Sequence, residues 1–181
     1  MKLLRTIRLD PSDTFVFETP AEPGEWAVSG AFAFWNRDPD SVTGKARTAF
    51  RSGFLGVNSL GRSTLVQIVA AGGEERTEVV ETLARQLVDR FDAPNMAAAR
   101  ASAEEEVAFA ESLCTPPQDT LIAVHRTFDD DGAVRETFRS LRPREGAKPA
   151  RAFSFMDVEG EDEEAPGEQV DLIAMAERER K

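Results

Sequence analysis

The sequence predicts an α+β protein with a mainly antiparallel sheet of about six strands and an antiparallel helix pair packed on one face. Three observations carry that expectation. Two apolar runs of strand composition, Thr64–Ala70 and Thr120–Phe128, bracket the middle of the chain. Between them lie two long amphipathic segments, about 76–91 and 95–114, joined at Asp92-Ala-Pro-Asn95. Outside this unit, further apolar runs are separated by Asp/Pro/Gly turns.

In chain order, Leu3–Leu9 alternates like a strand, Asp10-Pro-Ser-Asp13 is a turn, and Thr14–Glu18 reads as the return strand of a hairpin. Trp26–Trp35 reads as a third strand, with Trp26, Val28, Phe32 and Phe34 on a bulky face and alanines on the other. Ser41 is expected to cap a short helix through Phe50, with Gly53 as a left-handed stop. Phe54–Gly61 is a glycine-punctuated loop whose apolar side chains should pack on the core.

In the first long helix, Val79, Val80, Leu83, Leu87, Val88 and Phe91 follow the i, i+3, i+4, i+7 spacing of one buried face. Thr77 is a candidate cap, and Glu74 and Glu75 would suit the dipole of the first turn. The second helix is rich in alanine and is expected to bury Met96, Ala99, Ala103, Val107, Ala110 and Leu113 until Pro116-Pro117 ends it. Two helices between the Ser63 and Thr120 strands allow those strands to be parallel or antiparallel. Asp129–Gly132 should turn the chain into a strand over Ala133–Leu141, and Ala152–Met156 is a candidate last strand.

The expected organisation is one domain over 1–156, an acidic disordered linker over 157–168 and a short amphipathic segment over 169–181. Seven acids and no base fall between Asp157 and Glu168, so this stretch holds most of the net charge of −11. Clustered Lys and Arg are what duplex nucleic acid requires, and an acidic chain disfavours that partner. No run approaches the ~20 apolar residues of a membrane span. A single cysteine forms no internal disulfide and fits a reducing compartment, so a cytoplasmic protein is expected.

The familiar chemical motifs fail on spacing. Gly44-Lys45 lacks the rest of a phosphate loop, since Pro39 and Ala46 stand where glycine and Ser/Thr are needed. Gly53, Gly56 and Gly61 do not fit a dinucleotide fingerprint, and Glu136 follows Gly132 too closely for a calcium loop. Cys114 and His125 could form a nucleophile pair, but a buried thiol and an ordinary strand histidine are the simpler reading. Glu78, Glu81, Glu104, Glu105, Glu106 and Glu111 have no helical histidine to complete a carboxylate metal site, and a solvated helical face is preferred. No metal, cofactor or catalytic residue is therefore expected.

The one basic concentration contains Arg126, Arg135 and Arg139, with Arg142 and Arg144 beyond. The first three are the candidate ligand-binding residues, because guanidinium pairs well with phosphate or carboxylate. Salt bridges within an acidic protein are the competing explanation. Phe15, Phe17, Trp26, Phe32, Phe34 and Trp35 could line an apolar pocket or simply form core.

The stretches Trp26–Trp35, Gly53-Phe-Leu-Gly56, Ser63-Thr-Leu-Val66 and Glu105–Cys114 resemble a bacterial family known as a domain of unknown function, over most of residues 1–158. The resemblance implies an accessory context, near genes for molybdenum-dependent formate dehydrogenase and for biotin/lipoate-ligase-like proteins. It brings no catalytic residues. Two functions are thus expected in order: an accessory or interaction protein that meets a partner or a second copy through its C-terminal segment, or a binder or enzyme for a small anionic ligand.

Overall fold

Lys2–Ile7 (β1) lies inside the sheet because both of its edges are paired. It runs antiparallel to Trp26–Val28 (β2) on one side and to Leu65–Ala70 (β5) on the other. The structure is a computed structural model that describes residues 1–35, 37–143 and 156–159. The other strands are Phe54–Gly56 (β3), Arg62–Ser63 (β4), Leu121–Phe128 (β6), Val134–Pro143 (β7) and Met156–Glu159 (β8). They form one 8-stranded sheet in the order β4-β3-β2-β1-β5-β6-β7-β8, and every neighbouring pair is antiparallel. The β5–β6 pairing settles the direction that the sequence left open. Ala152–Phe155 and residues 160–181 lie outside the described residues, and with them most of the expected linker and all of the C-terminal segment.

Among the described residues four α-helices accompany the sheet: Ser12–Val16 (α1), Gly44–Ser52 (α2), Gly73–Arg90 (α3) and Met96–Ser112 (α4). Glu75 reaches back to accept the Gly72 N–H at the start of α3, so an acid rather than Thr77 secures that end. Asn95 caps α4 by accepting the Ala98 N–H. Arg76 pairs with Glu104 and Glu111, and Arg100 with Glu81, so the start of α3 meets the end of α4 and the helices are antiparallel. Val79, Val80, Leu83, Ala84 and Leu87 of α3 are buried. So are Ala99, Ala103, Val107 and Ala110 of α4, whereas Met96 stays exposed. The small side chains let α4 lie directly on β1 and β2. Each fully buried Leu or Val contributes about 1.5–3 kcal/mol.

Four local expectations need correction. Thr14–Glu18 is not a strand, since α1 occupies Ser12–Val16. Pro11 and Asp13 begin a single helical turn, and the buried Asp13 carboxylate accepts both the Thr64 N–H and hydroxyl. Phe17 is thereby buried and Phe15 left 70% exposed, a contrast that alternation could not foresee. The strand at Trp26 stops at Val28. Gly30 has φ +72°, and a Cβ there would collide with Leu55, so the chain turns into a 3-10 turn over Ala31–Phe34. Finally, Gly53 is extended at φ −102° and leads into β3, so it is no left-handed stop. The expected loop 54–61 is a short hairpin built on β3 and β4, although Phe54, Leu55 and Val57 are buried as foreseen.

A buried acid holds that hairpin. Glu25 accepts the N–H groups of Glu22, Asn58 and Ser59 and the Ser59 hydroxyl. A Cβ on Gly56 would strike its carboxylate. Gly56→Ala should therefore cost about 1–3 kcal/mol by overpacking, read from urea unfolding. A Gly56→Ala protein as stable as wild type would contradict this packing.

Candidate ligand-binding groove

The β6–β7 register separates the three candidate arginines. Directly opposed residues share a face, and Arg126 faces Glu136 while Thr127 faces Arg135 and Ala123 faces Arg139. Arg126 therefore points to one side of the sheet and the other two to the opposite side. Arg135 and Arg139 are four residues apart on one strand, about 13 Å at ~3.3 Å per residue, too far to grip one small anion. Arg135 is exposed and pairs with Asp129 at 3.3 Å. The trio does not converge.

Arg126 is fully buried and has no donor left for a ligand. Its Nε donates to Glu136 at 2.7 Å, Nη1 to the carbonyls of Phe50 and Gly53 at 3.0 and 2.9 Å, and Nη2 to the Ser29 carbonyl and hydroxyl at 2.5 and 3.0 Å. These bonds use all five N–H groups of the guanidinium. The Ser29 hydroxyl in turn donates to Glu136. Arg126 thus ties β6 and β7 to the end of α2 and to the turn after β2.

Two cavities flank the segment from Ala31 to Arg37. The larger, about 590 Å³, is walled by Phe32, Trp35, Phe91, Ala98, Ser102 and Glu106, among others. The smaller, about 260 Å³, is walled by Phe34, Lys45, Leu60 and Arg62. Ala33, Arg37 and Phe91 line both, so the two adjoin as one groove. Phe32 meets Phe91 edge to face at 5.1 Å between centroids, and Trp35 stands 69% exposed at the rim. Of the six aromatics considered from sequence, Phe32, Phe34 and Trp35 line this groove. Phe17 is core, Phe15 is exposed and Trp26 lies 3.9 Å beneath Arg5.

Glu106 is a half-buried acid in the wall of the larger cavity. Burial, with Glu136 nearby, raises its carboxyl from the ordinary 4.5 to about 7, while the Gly30 backbone N–H and Arg126 oppose the rise and Glu105 adds to it. Its Oε2 is buried without a hydrogen-bond partner among the described residues. The folded protein therefore holds this proton between pH 4.5 and about 7, and its stability falls as pH rises across that window. Glu106→Gln should be more stable than wild type at pH 8, on the order of 1–2 kcal/mol after solvent screening. The gain should vanish below pH 4.5, and urea unfolding at both pH values checks it.

The remaining candidates fall into structural places. Cys114 is buried, its Sγ donates to the Ala110 carbonyl, and burial pushes the thiol up to about 11, far from a nucleophile. His125 is exposed on β6 opposite Thr137. Glu81, Glu104 and Glu111 are spent on the helix–helix ion pairs. Sequence reasoning missed Arg37 and Arg62, set Lys45 aside with the failed phosphate loop, and read Glu106 as part of a solvated helical face. A signal existed for the last, because 99, 103, 106 and 110 follow helical spacing and place Glu106 beside the buried alanine stripe.

Fold and groove together define a class: an antiparallel α+β protein with a partly aromatic groove beside its helix pair. The chain belongs to the family of unknown function DUF6505, which matches residues 1–156. No curated protein and no solved structure matches it. Among the described residues, no helix is long and apolar enough to cross a membrane.

Proposed function

We propose that this protein is a binding protein for a small molecule with an apolar or aromatic part, acting in the cytoplasm in an accessory role. The observation that carries the reading is the meeting of the two cavities on Ala33, Arg37 and Phe91, with the exposed Trp35 at their rim. Ligand pockets are typically concave, about 300–1,000 Å³, and apolar with a few placed polar groups. The larger cavity falls in that range, and Arg37, Glu105 and Glu106 supply polar groups. Contact with a protein partner or a second copy through residues 169–181 belongs to the same proposal.

A thermal-shift screen of aromatic fragments checks the reading. Ligands that raise the midpoint of wild type should lose their effect in Ser102→Phe, which fills the larger cavity from the exposed face of α4. A shift that survives in Ser102→Phe would place the ligand elsewhere and overturn the proposal.

A further inference from the structure

We propose that the smaller cavity is an oxyanion site, taking a carboxylate or a phosphoryl group on Arg62 with help from Arg37 and Lys45. The inference rests on the ligand-binding reading of the groove and names the chemistry of one end of it.

Arg62 is a mostly buried cation that no acid pairs with among the described residues. Five other arginines, Arg5, Arg76, Arg100, Arg126 and Arg135, each form an ion pair with Asp or Glu. Among the described residues Arg62 forms none, in a chain with 33 acids. The charges that act on it are cationic. Burial first, then Arg126 and Arg37, pull its guanidinium down to about 9, which leaves it charged at neutral pH. A cation taken out of water without a counter-charge is costly, and an anion arriving there removes that cost.

The geometry leaves the guanidinium open to such an anion. Only Nη1 is engaged, in two long bonds of 3.4 Å to the Gly30 and Gly53 carbonyls. Nε and Nη2 have no protein acceptor among the described residues, and a planar pair of N–H groups matches the two oxygens of a carboxylate or phosphate. The group lies 4.8 Å over the Phe34 ring, which fixes its plane. Arg37 and Lys45 are exposed on the same cavity, with Glu18 the one acid in its wall among the described residues. Lys45 is held only by a 3.5 Å bond to the Phe17 carbonyl, so its ammonium can be redirected at small cost. A space of about 260 Å³ suits a head group rather than a whole ligand. The body of the molecule would pass over Phe91 and Ala33 into the larger cavity, which assigns the ligand as an aromatic or apolar acid or phosphate ester.

Titration calorimetry on the full chain with benzoate, phenyl phosphate, inorganic phosphate and benzyl alcohol tests this. Benzoate or phenyl phosphate should bind at least tenfold more tightly than benzyl alcohol, and whichever is tighter identifies the head group. Arg62→Met should weaken that anion at least tenfold and Arg62→Lys by less. The exposed double variant Arg37→Met/Lys45→Met, which keeps the core intact, should weaken it severalfold, and Arg135→Ala should have no effect. Should Arg62→Met fail to fold, the double variant decides. Benzyl alcohol binding as tightly as the anions, with blockade by Ser102→Phe, would overturn the oxyanion site while leaving the groove in place. Binding of none of the four would overturn the oxyanion site, and the fragment screen decides the groove on its own.

Discussion

Replacing Arg126 by methionine should lower the unfolding free energy by about 3–5 kcal/mol, because it strands a charged or polar partner at every bond it breaks. Glu136 would keep a carboxylate in a mostly buried place, the carbonyls of Ser29 and Phe50 would lose these donors, and that of Gly53 would keep only its long bond from Arg62. For a domain of this size the midpoint should fall by roughly 10 °C. Arg126→Lys retains the charge but not the five-donor fork, so its loss should lie between those of wild type and the methionine variant. Arg135→Met and Arg139→Met, on the exposed face of β7, should change stability by no more than about 0.5 kcal/mol. Urea unfolding of the four variants provides the comparison. Equal stability of Arg126→Met and wild type would mean that the network does not hold the sheet to α2.

Enlarging Ala103 is expected to have the next largest effect. It is fully buried on the inner face of α4, the helix that packs on α3 and on β1 and β2. Leucine at this position has no space without lifting the helix, and overpacking of this kind costs about 1–3 kcal/mol or more. Ala103→Gly keeps the close approach and should cost only about 1 kcal/mol through helix propensity. An Ala103→Leu protein less destabilised than Ala103→Gly would show that α4 is not closely packed at this residue. Calorimetric midpoints of the two variants decide the order.

The helix pair was legible because its evidence is periodic. Val79, Val80, Leu83 and Leu87 repeat at the helical period, and a stripe of that length has few other solutions. The strands at β1, β5, β6 and β7 were legible through alternation bounded by turns. Short elements were not, because their structure is decided by partners far along the chain. Phe15 and Phe17 alternate as a strand would, but Asp13 reaching Thr64 selects one helical turn. Trp26–Trp35 has strand composition throughout, but the crowding of Gly30 against Leu55 ends the strand. The same limit explains the site. The charge cluster at Arg126, Arg135 and Arg139 was visible, but opposite parity and ~3.3 Å per residue disperse it. Arg62 earned no attention because its importance lies in what is missing around it, which only the folded arrangement displays.

The two tryptophans provide the most direct test of the groove. Trp35 stands on its rim, while Trp26 lies under Arg5, away from both cavities. In a nitrogen-proton correlation spectrum of the full chain, titration with benzoate or phenyl phosphate should move the Trp35 indole N–H signal in a saturable way. The Trp26 signal should stay in place. A saturating shift at Trp26 with Trp35 unmoved would contradict the placement of the ligand in the groove around Ala31 to Arg37.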